Sequence, residues 1–162
     1  MNYNRKNAVD YAHKWAMKRN PAYFNFTGLG GDCANFASQC IYAGAGIMNY
    51  TPTFGWFYIN SYNRAPAWSG VKYLQNFLLR TTKNAGPYAE IYPTEKLDIG
   101  DIIQLGTSDG TFYHTLIVVS TDHTGDISKL LVACHTYDSD YRPLSTYSFG
   151  QLKCMHIVGV RR

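Results

Sequence analysis

Cys33 follows a glycine pair and an aspartate in the run Gly30-Gly31-Asp32-Cys33-Ala34-Asn35-Phe36-Ala37-Ser38-Gln39-Cys40. The apolar positions after it (Phe36, Ala37, Cys40, Ile41 and Gly44) recur at helical spacing, so the thiol falls on the first turn of a helix. That position lies at the positive end of the helix dipole, among N–H groups with no intrahelical acceptor. Such groups favour a thiolate and can receive the oxyanion formed when a carbonyl is attacked. Asp32 reads as the cap of this helix, and Asn35 and Gln39 as residues that brace it or touch a substrate.

A cysteine nucleophile needs an imidazole to take its proton and a third group to orient that imidazole. Of the five histidines, His114 and His135 lie in strand-like runs on either side of the polar connection Asp122-His123-Thr124-Gly125-Asp126. A hairpin centred on Thr124 and Gly125 sets the two directly opposite each other, with Cβ atoms about 5 Å apart on one face. A slip of one residue would send them to opposite faces. His13 falls on the polar side of the first helix, His123 in a turn and His156 in the last strand, where ordinary structural roles suffice.

The other cysteines (Cys40, Cys134 and Cys154) lack a helix start and read as core thiols. Cys33 and Cys40 are two helical turns apart, about 10 Å, which is beyond disulfide reach. A bridge between Cys134 and Cys154 stays open. The run Gly28-Leu29-Gly30-Gly31 is followed by no GK[ST] and reads as a hinge, and no GxSxG or HExxH occurs. One metal alternative survives on residue types alone: His114, His135 and a cysteine as three zinc ligands with water in the fourth position.

The elements that must position these residues divide the chain in two. Helical periodicity runs from Asn4, a plausible cap, to about Met17, then from Asp32 to Gly44, then from Ser69 to near Arg80. The segment from Tyr50 to Ser69 is rich in aromatics, proline and asparagine without a clear period and reads as irregular loop. After Pro93 the pattern becomes strand-like, over Ile102–Leu105, Phe112–Thr121, Lys129–Thr136 and about Cys154–Arg161. Helices first and an antiparallel sheet second make an α+β arrangement, and 162 residues suit one domain spanning 1–162.

Composition narrows the partners. A net charge of +4 from scattered Lys and Arg lacks the dense patch expected for a nucleic-acid binder, and no apolar run is long enough to span a membrane. The N-terminus lacks a signal-peptide core, so an exported protein would carry its signal outside this chain. Aromatics make up 15% of the residues. Tyr and Trp offer flat faces with a polar edge, which makes Trp56, Tyr58 and Trp68 candidates for a substrate groove.

Several of these runs, taken in order, resemble a bacterial putative amidase domain family. The first half carries Tyr3-Asn4-Arg5, Ala8-Val9, Tyr11-Ala12, Asn20-Pro21-Ala22-Tyr23 and the stretch from Asp32 to Cys40. The second half carries Gly100-Asp101-Ile102-Ile103-Gln104, His114-Thr115, His135-Thr136-Tyr137-Asp138 and Pro143-Leu144-Ser145. Ala34 departs from the hydroxyl residue expected there. The resemblance implies a papain-like fold related to CHAP and NlpC-type cell-wall hydrolases. It implies Cys33 as nucleophile, His114 as general base, and His135 as third residue with Asp138 as the alternative. No cofactor or metal follows from it. The expected enzyme is a monomeric cysteine amidase or peptidase acting on peptidoglycan or another peptide amide, secreted or associated with the cell wall. A catalytically silent wall-binding module of the same fold and a zinc-dependent amidase are the alternatives.

Overall fold

The computed structural model describes residues 1–162. Helix α1 (Arg5–Trp15) begins where Asn4 accepts a hydrogen bond from the Asn7 N–H at 3.0 Å. Helix α2 (Cys33–Ala45) ends at Gly46, whose φ of +74° closes the helix in the left-handed region. A small hairpin, β1 (Tyr58–Asn60) and β2 (Asn63–Arg64), lies within the segment expected to be loop. One turn of helix, α3 (Pro66–Ser69), and the amphipathic α4 (Val71–Leu78) follow. Gly70, not Ser69, occupies the α4 cap position, and Ser69 Oγ instead accepts from Arg64 Nε at 2.9 Å.

The remaining strands are β3 (Gly86–Ile91), β4 (Ile102–Gly106), β5 (Phe112–Ser120), β6 (Leu131–Cys134), β7 (Ser139–Pro143) and β8 (Gln151–Arg161). They form one antiparallel sheet in the order β3-β8-β4-β5-β6-β7. The α+β expectation holds, with two strands more than the sequence indicated. β3 precedes Pro93 and β7 follows the shortened β6.

Alternation along the strands splits the apolar residues between two cores. Ile102 pairs with Ile117 and Met155, and Ile117 with Ala133; these side chains pack against α1, α2 and α4. Ile103 pairs with Leu116 and Cys154, and these join Val118, Val132, Cys134 and Leu144 in a second core on the other face. Helix α2 is buried at every residue except Tyr42 and Ala43, so even its polar residues must find partners inside the protein. Trp56 Nε1 donates to Ser38 Oγ and Trp68 Nε1 to Asn35 Oδ1, each at 3.0 Å. No helix is long and apolar enough to cross a membrane.

Candidate active site

The Cys33 turn is built by backbone that few residues adopt. Gly30 and Gly31 have φ of +93° and +98°, a region glycine enters without the Cβ penalty of other residues. The chain then enters α2 at Asp32, whose side chain does not cap the helix as the sequence suggested. Its carboxylate points inward instead, accepting from Phe26 N–H at 2.8 Å, Asn35 Nδ2 at 2.9 Å and His135 Nδ1 at 2.5 Å. Arg19 Nε lies 3.4 Å from the same group. Tertiary partners outcompete the local cap. Burial alone pushes the Asp32 carboxyl up, but the hydrogen bonds from His135, Asn35 and Phe26 outweigh it and hold the carboxyl below its ordinary value.

Cys33 opens on a cleft of about 330 Å³ that His114 also lines, with Tyr113, Thr136, Tyr137, Arg142 and Tyr147 among its other walls. His114 pairs with Leu105 of β4 and lies on the sheet face that carries Leu116 and Val118. Its neighbour Thr115 faces the opposite way, towards Gln104. Burial pushes the Cys33 thiol up. The N–H groups of Thr115, Ala34 and Cys33 itself work against that shift, the nearby Asp32 charge adds to it, and the thiol stays above its ordinary value. Burial, then the Arg142 charge, lower His114 to about 4. Both shifts favour the uncharged forms near neutral pH, a thiol at Cys33 and a neutral imidazole at His114.

The two strand histidines do not face each other. Ile117 pairs with Ala133 and Val118 with Val132, and a bulge shifts the pairing before Ser120 meets Leu131. This is one residue away from the symmetric hairpin, so Thr115 takes the register position opposite His135, beyond the end of β6. His135 stacks on Phe36 at 4.1 Å, bonds Asp32 through Nδ1, and donates from Nε2 to Trp15 O at 2.8 Å. Asp138 is held by Arg19, at 2.7 Å from Nη1 and 3.0 Å from Nη2. Neither meets His114, whose ring has the Tyr147 ring as its aromatic neighbour, 6.0 Å away. The ligands of the zinc alternative do not converge either, since the two histidines sit on opposite faces and both His135 nitrogens are engaged.

Asn35 and Gln39 brace the helix. Asn35 Nδ2 donates to Phe24 O and Asp32 Oδ1, and Gln39 Oε1 accepts from Tyr11 OH. Trp56 and Trp68, expected in a groove, are fully buried and tilted against each other at 4.9 Å between ring centres. Tyr58 packs against Trp68, and its hydroxyl accepts from Phe24 N–H at 2.8 Å. The aromatics that line the cleft are Tyr113, Tyr137 and Tyr147. For two of them the sequence signal is adjacency: Tyr113 precedes His114, and Tyr137 follows His135 by two residues. All four cysteines are free and buried, and no Cys134–Cys154 bridge forms.

The putative amidase domain family matches residues 2–158. A Bacillus subtilis (strain 168) protein bearing the description "Uncharacterized protein YhbB" is 38% identical over 144 residues, covering 86% of this chain and 43% of that protein. The chain thus spans less than half the length of that curated relative. No solved structure matches. With nearly its whole length inside the match, the chain belongs to the putative amidase domain family.

Proposed function

We propose that this chain is a cysteine-dependent amide hydrolase of papain-like architecture. Its substrate is peptide, with bacterial cell-wall peptide as the favoured class and the cell wall or extracellular space as its place of action. The observation that carries the reading is the shared cleft of Cys33 and His114. Family membership supports hydrolysis of an amide.

Because the resting pair is neutral, His114 acts as a general base during attack rather than as a preformed imidazolium. Its free imidazole nitrogen takes the Sγ proton as sulfur bonds to the amide carbon, and the carbonyl oxygen gathers negative charge. The N–H groups at the start of α2 receive that charge. The imidazolium then gives its proton to the leaving nitrogen, the C–N bond breaks, and an acyl-thioester remains. Water, deprotonated by His114, attacks the thioester; the carboxylic acid departs and the thiol re-forms. His135 and Asp138 act here as positioning residues, holding the Cys33 turn and the loop beside the cleft.

One observation favours a second reading, a silent wall-binding module: no side chain hydrogen-bonds the His114 ring to orient it. Digestion of purified cell-wall fragments with mass analysis separates the two. The wild type should release a fragment whose mass names the broken amide, and Cys33→Ala should release none. Hydrolysis retained by Cys33→Ala overturns the cysteine mechanism, and wild-type binding without any product supports the module.

A further inference from the structure

Arg142 is the only residue of the cleft with a fixed charge, and no Asp or Glu lines it. Its guanidinium is held in place: Nε donates to Thr146 Oγ1 at 2.7 Å and Nη2 to Thr146 O at 3.1 Å. Thr146 Oγ1 is itself anchored to Pro143 O at 2.7 Å, and the guanidinium carbon lies 3.7 Å from the centre of the Tyr147 ring. These contacts leave Nη1 without an acceptor in the protein. They contrast with Arg5 and Arg19, each of which bonds a carboxylate.

The register shows which way this charge faces. Arg142 on β7 pairs with Val132 on β6, and Val132 with Val118 on β5. Directly paired residues share a face, and His114 lies on that face with Val118. The fixed cation and the imidazole thus stand on one side of the sheet and line one cleft.

From this geometry we infer that Arg142 is a specificity residue, binding a carboxylate that the substrate carries near its scissile amide. A guanidinium has a planar fork of donors that matches a carboxylate, and one already fixed by Thr146 and stacked on Tyr147 loses little freedom on binding. A cleft with one cation and no acid favours anionic over neutral peptides. The charge also opposes protonation of His114. A bound carboxylate offsets it, so the imidazole becomes a stronger base once the matching substrate is in place. This inference rests on the amide-hydrolase reading for its catalytic consequence, whereas carboxylate binding stands apart from turnover.

The test uses one preparation of soluble cell-wall peptides divided in two, one half with its carboxyl groups converted to carboxamides. Binding of both halves is measured by calorimetry with Cys33→Ala protein, and hydrolysis with the wild type. The native half should bind at least about tenfold more tightly and be cleaved with correspondingly higher kcat/KM. Added to Cys33→Ala, Arg142→Gln should abolish the binding preference by weakening only the native half, and Arg142→Lys should retain part of it. Equal binding of the two halves by Cys33→Ala overturns the inference, as does an equal loss on both halves with Arg142→Gln. If Arg142→Gln does not fold, the comparison of the two halves with the other two proteins decides alone. Carboxylate-dependent binding without any wild-type product supports the subsite and defeats the hydrolase reading, which keeps the two failures distinct.

Discussion

Asp32 and His135, 103 residues apart, hydrogen-bond at 2.5 Å inside the protein, each almost wholly shielded from solvent. The contact ties the first residue before α2 to the end of β6. Arg19 joins it, reaching Asp32 with one guanidinium edge and Asp138 with the other nitrogens. Helix α1 is drawn in as well, through Trp15 O on His135 Nε2. The cluster fixes where Cys33 stands relative to β5.

Removing one side of that pair should therefore be costly. His135→Ala strands the Asp32 carboxylate and opens a space beside Phe36, and a loss of about 3–5 kcal/mol is expected for a broken buried pair. Urea denaturation measures it. His135→Ala should also lower activity at temperatures where the variant stays folded, because the Cys33 turn loses its anchor. A variant as stable as the wild type would show that the cluster holds nothing.

Thiol chemistry should single out Cys33 slowly and in a pH-dependent way. All four cysteines are buried, but of these Cys33 lines the cleft. Its raised thiol pKa means little thiolate near neutrality, so alkylation by iodoacetamide should be slow at pH 7 and accelerate as pH climbs past the ordinary thiol range. Peptide mapping by mass spectrometry reads the site. Labelling that begins at Cys40 or Cys134 would contradict the arrangement of the cleft.

Acid stability carries a signature of His114. Its pKa falls from an ordinary 6.5 when unfolded to about 4 when folded. As pH drops below 6.5 the unfolded chain takes up a proton that the native state refuses until about pH 4, so stability is lost across that window, by up to about 3 kcal/mol. The lowered Asp32 carboxyl acts with the usual carboxylate sign, adding stability above its unfolded pKa that is lost as pH falls through its lower folded value. His114→Gln should flatten the loss between pH 6.5 and 4 and leave the more acidic loss in place. Denaturation curves at stepped pH compare the two proteins, and parallel curves would mean His114 is not held neutral by its surroundings.

What the sequence made legible follows the range of the forces involved. Helix α2 and the position of Cys33 came from local signals, a glycine hinge and helical spacing, and the structure keeps both. The role of Asp32 did not, because a short polar residue before a helix is a cap by local rule and partners distant in sequence claimed it here. His114 and His135 both fall in strand-like runs, yet their register depends on an off-centre hairpin and a bulge between Val118 and Ser120, neither of which alternation can reveal. Strand β3 was hidden by Pro87, which a central strand would reject. The sheet tolerates it because β3 is an edge strand. The groove expected at Trp56 and Trp68 fails for a related reason: a segment without clear period gives no local sign of burial, and this one folds back over α2 and buries both rings.

Those tryptophans give the last prediction. Trp68 is fully buried among Trp56, Tyr23, Tyr42 and Tyr58, and its Nε1–H donates to Asn35 Oδ1. Asn35 in turn donates to Asp32, so the ring supports the Cys33 turn from beneath. Trp68→Phe keeps most of the volume and removes the donor, leaving a buried amide oxygen unpaired, at a cost of about 1–3 kcal/mol. Trp68→Ala adds a cavity and should lose about 3–5 kcal/mol. Were Trp68 a substrate-contacting residue, Trp68→Phe would raise KM with stability unchanged. As a core residue, it should lower the unfolding midpoint and leave KM near the wild-type value at temperatures where the protein is folded. Measuring both quantities on the same preparation separates a groove from a foundation.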